Sequence, residues 1–158
     1  MSARSTHRPV LAALVLAAVL PLAGCSHFVV LHDALTANEH NDLGVAYEAA
    51  GQLDLAAGEY RRALRLEPGQ AGARVNLGNL EAARGRWRSA EKCYRRALAD
   101  SSTDVDAMNN LAVALLRQDR RMDEARSLAE RAVAAGGERD SIYRATLAEV
   151  KSGQLRRP

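Results

Sequence analysis

Two cysteines and four histidines among 158 residues leave little for metal or redox chemistry. The histidines are His7, His27, His32 and His40. They contain no helical i, i+4 pair and have no cysteine partner, so His32 beside Asp33 is the nearest approach to a metal site, and a weak one. No Gly-x-Ser-x-Gly occurs, and no strand pattern is present to carry a glycine-rich phosphate loop. The acids fall into no recognisable carboxylate pair. Catalysis, a cofactor and a metal are therefore not expected.

A membrane-spanning segment is missing too. The longest unbroken apolar run is Val10 to Leu20, ended by Pro21, and a bilayer core of about 30 Å needs roughly 20 apolar residues. With Arg4 and Arg8 before it, this run reads as an export signal over 1–24 and is set aside from fold reasoning. It also carries the basicity. Removing a segment with two arginines and no acid lowers the net charge from +3 to +1, which leaves nucleic-acid binding without support.

Leu22-Ala23-Gly24-Cys25 closes the apolar run and resembles the lipobox of bacterial lipoproteins. The resemblance implies cleavage before Cys25, a diacylglyceryl thioether on its sulfur and an acylated amine. Three acyl chains exceed the two hydrophobic signals that stable anchoring takes. In a Gram-negative cell Ser26 at the next position implies the outer membrane, facing the periplasm. Cys93 is then the one remaining thiol; it falls in a predicted helix and reads as a small packing residue. Residues 25–36 form anchor and tether. Phe28-Val29-Val30-Leu31 is more apolar than a free tether needs, and either the first repeat or the lipid surface could take it.

What the chain does have is a period. Leu43-Gly44, Leu77-Gly78 and Leu111-Ala112 recur every 34 residues, and Tyr-Arg-Arg-Ala-Leu occurs at 60–64 and again at 94–98. A period of this size means stacked supersecondary units, none able to bury its apolar face alone. Each unit holds two helical patterns: about 37–70, 71–104 and 105–138. Thr36 and Glu39 form a capping-box signature. Leu43, Ala46 and Tyr47 give one apolar stripe, and Ala56, Tyr60, Ala63 and Leu64 the next. Gly51 and Gly85 break the helix pairs. The third break, Gln118-Asp119-Arg120-Arg121, holds one extra residue, so Ala125 lies 35 residues after Ala90. A seventh helix over 139–151 would cover the last exposed core face, with 152–158 a flexible tail.

These residues resemble tetratricopeptide repeats. Leu43, Gly44, Tyr47, Gly51, Ala56, Tyr60, Ala63 and Pro68 carry the resemblance in the first repeat. Leu77, Gly78, Gly85, Ala90, Tyr94 and Ala97 carry it in the second, which departs at Glu81 and Ser102. The third is weaker, with Leu111, Ala112, Ala125 and Ala132. The resemblance implies an all-α, right-handed solenoid of three helix-turn-helix repeats plus a capping helix, with a concave face formed by the first helix of each repeat. Tyr47, Leu53, Trp87 and Met122 are then core residues.

The concave face should display Asn38, Asn41, Asp42, Val45 and Glu48, then Val75, Asn76, Asn79, Ala82 and Ala83, then Asp106, Asn109, Asn110, Val113, Leu116 and Arg117. Asp42, Asn76 and Asn110 stand 34 residues apart. An asparagine amide can donate to a carbonyl and accept from an N–H at once, so this line could hold the backbone of an extended peptide; it is similar to the asparagine ladder of O-GlcNAc transferase. It could instead join neighbouring helices. The face does not resemble the carboxylate clamp of chaperone-binding repeats, which needs clustered Lys and Arg where Asp42, Glu48 and Asp106 stand. The arginine pairs 61–62 and 95–96 fall on second helices, as a solvated surface or as a contact for anionic lipid or peptidoglycan.

The resulting expectation is a lipid-anchored adaptor that binds a protein or peptide segment. Small lipoproteins with such repeats serve in pilus and secretion assembly, of pilotin or tight-adherence type. An accessory subunit that recruits an envelope enzyme, such as a peptidoglycan hydrolase or protease, and a homo-oligomer stacked through its solenoid ends are the rival readings.

Overall fold

The computed structural model describes residues 34–155, with side chains through Gly153. The export segment, Cys25, the tether to residue 33 with His32 and Asp33, and residues 156–158 lie outside the described residues.

Seven helices follow one another: α1 (Ala37–Ala49), α2 (Leu53–Leu66), α3 (Ala71–Ala83), α4 (Trp87–Asp100), α5 (Val105–Arg117), α6 (Met122–Ala135) and α7 (Asp140–Leu155). None is long and apolar enough to cross a membrane among the described residues.

The helix starts and stops follow local chemistry. Thr36 Oγ1 accepts from the Glu39 N–H, and Glu39 Oε2 accepts from the Thr36 N–H at 2.8 Å, completing the capping box of α1. Those hydrogen bonds from Thr36 hold the Glu39 carboxyl below its ordinary pKa. Asp104 caps α5 through the Ala107 N–H at 2.9 Å. Gly51 and Gly85 end α1 and α3 in the left-handed region, at φ 73° and 70°, where only glycine lacks a steric penalty. The third break is strained twice: Asp119 takes φ 50° at the position that is glycine in the first two breaks, and the extra residue puts Arg121 at φ 48° before α6.

Within each pair, small residues let a large one in. A Cβ on Gly44 would lie 2.5 Å from Tyr60 Cε1, and one on Gly78 would lie 2.6 Å from Tyr94 Cε1. The third repeat makes the opposite choice. Ala112 replaces the glycine and Ala129 replaces the tyrosine, and both are fully buried, so the added methyl is matched by the lost ring. Buried polar pairs join the helices as well. His40 Nδ1 lies 2.7 Å from Glu59 Oε2, and Glu59 also takes Arg62 Nη1 at 2.5 Å.

The stacking sets the curvature. The backbones of α1 and α3, of α3 and α5, and of α5 and α7 approach closely, whereas those of the second helices α2, α4 and α6 stay further apart. The first helices therefore line the inner side and the second helices fan out behind. Arg95 spans the wider gap with a fork onto Glu124, 2.6 and 2.9 Å long, while its Nε reaches Glu91 at 2.9 Å.

The capping helix is longer than expected. It runs to Leu155 rather than 151, so 152–155 are helix and not tail. Gly153 explains this: its bare Cα faces Leu116 and Met122, whose methyl carbons would stand 3.1 and 3.2 Å from an added Cβ. Tyr143, Thr146 and Val150 are its buried face.

Candidate functional site: the face of the first helices

The inner face carries most of the residues expected there. Asn38, Asp42, Val45 and Arg117 are exposed, with Val45 at 47%. Asn41, Glu48, Asn76, Asn79, Asp106, Asn110 and Val113 are half-buried. Two expectations are corrected. Asn109 is only 4% exposed and Val75 is buried as well. Both occupy the position one residue before the 34-residue line; its first-repeat counterpart Asn41 is half-buried and bonds to Asn76 of the next repeat, while Val75 joins the core cluster that holds Met108 and Leu111.

The polar side chains are tied across the repeats. Asn76 Nδ2 donates to Asn41 Oδ1 at 3.0 Å, and Asn110 Nδ2 donates to Asn79 Oδ1 at 3.0 Å. Gln70 donates to Asn38 Oδ1 at 2.6 Å. Tyrosines brace the same face from behind: Tyr60 Oη donates to Glu48 at 2.8 Å and Tyr94 Oη to Asn79 at 2.9 Å. Burial pushes both phenols well above their ordinary pKa, with the Glu48 carboxylate adding to the effect at Tyr60. At the far end, α7 engages the face. Tyr143 Oη donates to Asp106 at 2.9 Å, Arg139 pairs with Asp106 at 3.1 Å, and Arg117 pairs with Glu149 at 3.1 Å.

The line of asparagines therefore joins helices, the plainer of its two readings. It does so with one amide N–H per rung, and the half-exposed rungs keep donor capacity for a ligand.

Beside the bonded Asn79–Asn110 pair lies an open hollow of about 270 Å³, lined also by Ala82, Ala83, Val113, Tyr94 and Trp87. Its cause is legible in the repeats. Where the first and third carry Glu48-Ala49 and Leu116-Arg117, the second carries Ala82-Ala83, and the missing side-chain volume is the hollow. A polar pair at the margin of an apolar recess forms the kind of surface that holds a chain by its backbone and one side chain.

Two models of the tetratricopeptide repeat match, one over residues 37–70 and one over 75–140. The chain belongs to the tetratricopeptide repeat family. No curated protein matches it. Among solved structures, the first such repeat domain of Spaghetti (RPAP3), bound to the HSP90 peptide SRMEEVD, superposes with a TM-score of 0.70 at 17% identity, over 75% of this chain and 93% of that one. YrrB, described as a repeat protein with an unusual peptide-binding site, superposes with a TM-score of 0.68 at 20% identity, over 75% of this chain and 60% of that one. At these identities the likeness establishes the fold.

On the outer face of this repeat protein, Arg61, Arg62 and Arg96 are exposed, but acids lie near all three. Arg62 meets Glu59 at 2.5 Å, Arg61 approaches Glu81 at 3.9 Å and Arg96 approaches Asp100 at 4.0 Å. Arg95 is the bridge to Glu124. Paired arginines have less to offer an anionic surface than the sequence implied. Glu81, standing where a tyrosine is usual, is buried and takes a fork from Arg86, 2.6 and 3.0 Å long. Cys93 is half-buried in α4, and burial pushes its thiol pKa up. No group of three metal-ligating side chains gathers among the described residues.

Sequence reasoning missed one feature here. Trp87 packs against the core, as expected, but it also lines two hollows.

Proposed function

We propose that this protein is a non-catalytic, lipid-anchored adaptor of the bacterial cell envelope, whose inner face holds an extended segment of a protein partner. Attachment through Cys25 and an outer-membrane position facing the periplasm rest on the lipobox resemblance. Assembly of an envelope machine, such as a pilus or secretion system, is the process proposed for it. The carrying observation is the open hollow on the inner face, lined by the bonded Asn79–Asn110 pair and by Ala82 and Ala83.

Two features support the reading. The repeat domain of Spaghetti, similar in fold, is described with a bound peptide. The inner face here has Asp42, Glu48 and Asp106 where a clamp for a C-terminal carboxylate would need cations, so an internal segment is the better ligand.

The test is a crosslinking pull-down from membranes with the native protein beside an Asn76→Ala/Asn110→Ala variant. One envelope protein captured by the native form and lost with the variant supports the reading; equal capture contradicts it. Labelled palmitate should enter the native chain and not Cys25→Ser.

A further inference from the structure

Trp87 lines two recesses of different chemistry. One is the groove hollow with its alanines. The second, at the edge formed by the α3–α4 and α5–α6 turns, is a hollow of about 440 Å³ lined also by Gly85, Arg86, Arg88, Ser89, Gln118 and Arg120. Every charged residue in that lining is an arginine.

The acids nearby are already engaged or lie beneath. Glu81 takes the fork from Arg86, which keeps about half its side chain exposed. Glu91 is buried under Gln118 and Arg95, accepting from them at 2.9 Å each. Burial alone would raise its pKa, but those hydrogen bonds and the charges of Arg95 and Arg120 hold it below the ordinary value, so it stays ionised and anchors the floor. Asp119 stands in the turn itself. Asp119 is itself engaged, and Arg88 and Arg120 are exposed, with the Arg120 charge felt by Glu91. Arg88 also reverses a pattern. Its counterparts in the other second helices are Asp54 and Asp123, acids in the first turn, and α4 has no acid there.

We infer that this edge hollow is a second recognition site, taking carboxylate side chains of an acidic stretch in the same partner segment that lies in the groove. The inference rests on the groove reading for its ligand. Adjacency favours a polypeptide: Trp87 lines both hollows, so one chain in the groove hollow has the arginines within reach. A recess also suits side chains entering singly better than it suits a flat lipid surface. The arginine forks match carboxylate geometry, two N–H donors to two oxygens, and the indole face can flank a guanidinium.

Trp87 is the one tryptophan, so its emission reports on this site. The full chain, held in nanodiscs of neutral phosphatidylcholine, is titrated with hexaglutamate, hexalysine and inorganic phosphate, and in a separate arm is placed in discs containing phosphatidylglycerol. The expected result is a saturable emission change with hexaglutamate and none with hexalysine. Added salt should weaken binding, and Arg88→Glu/Arg120→Glu should weaken it roughly tenfold. The milder Arg88→Gln/Arg120→Gln should fall between, with near-native thermal melting, since Glu91 keeps its hydrogen bonds from Arg95 and Gln118.

Silence with hexaglutamate, equal binding by the variants, an equal response to inorganic phosphate, or a response to phosphatidylglycerol discs alone would each overturn the inference. The Asn76→Ala/Asn110→Ala chain separates it from the groove reading. If the groove reading alone is wrong, partner capture is unchanged by that variant while the hexaglutamate response persists; if this inference alone is wrong, capture is lost and no hexaglutamate response exists.

Discussion

Tyr60 occupies the space that a side chain on Gly44 would need, with its Cε1 2.5 Å from where the first carbon would stand. Tyr94 stands in the same relation to Gly78, and the third repeat resolves the same contact with Ala112 and Ala129. The period of the sequence is thus a period of close helix approach.

A methyl at either glycine should be destabilising. Gly44→Ala or Gly78→Ala forces a buried ring to shift, at about 1–3 kcal/mol. Gly58→Ala, inside α2 with nothing within 4 Å, should instead stabilise by about 0.4–1 kcal/mol. Urea unfolding of the three variants checks the signs; a common direction for all three would contradict the packing argument.

The bridge between the outer helices should make stability depend on acid pH. The Glu124 carboxyl is held below its ordinary value near 4.5, first by the hydrogen bond from Arg95, with burial opposing. A depressed folded pKa means stability that is present above the unfolded value and lost as pH falls through the folded one. Thermal melting should therefore fall as pH drops below about 4.5, and Arg95→Met should flatten that fall. At pH 7 the variant should cost roughly 1–2 kcal/mol. That is less than a fully buried orphan charge would cost, since Arg95 and Glu124 are each about a third exposed.

The buried thiol should be slow. Desolvation is the largest cause raising the Cys93 pKa, so little thiolate is available at neutral pH. In a Cys25→Ser chain, whose only thiol is Cys93, labelling with a disulfide reagent at pH 7.5 should run well below the rate of a free thiol and reach it on adding denaturant. Fast labelling of the native chain would contradict the burial.

Much of this was legible because repeats state their own alignment. Thr36 with Glu39, Gly51 and Gly85 mark helix ends through backbone rules that act locally, and the extra residue before Met122 was visible as a break in the period. What stayed hidden depends on neighbours distant in sequence. Asn109 reads as a groove residue on helical spacing alone, yet it is buried once the helices stack. The expected tail from residue 152 is helical to Leu155, with Leu116 and Met122 closing on Gly153. The pairing of Asn76 with Asn41 rather than with a ligand needs the distance between α1 and α3. The hollow beside Trp87 was signalled by Ala82-Ala83, a pair smaller than its counterparts.

The most direct measurement places a photo-crosslinking residue at Ala83, in the groove hollow, and in a second chain at Arg126, exposed on the outer helix α6. Both are illuminated in intact cells. A single protein crosslinked from Ala83 and absent from Arg126 is the predicted result; capture from Arg126 with none from Ala83 would contradict binding on the inner face.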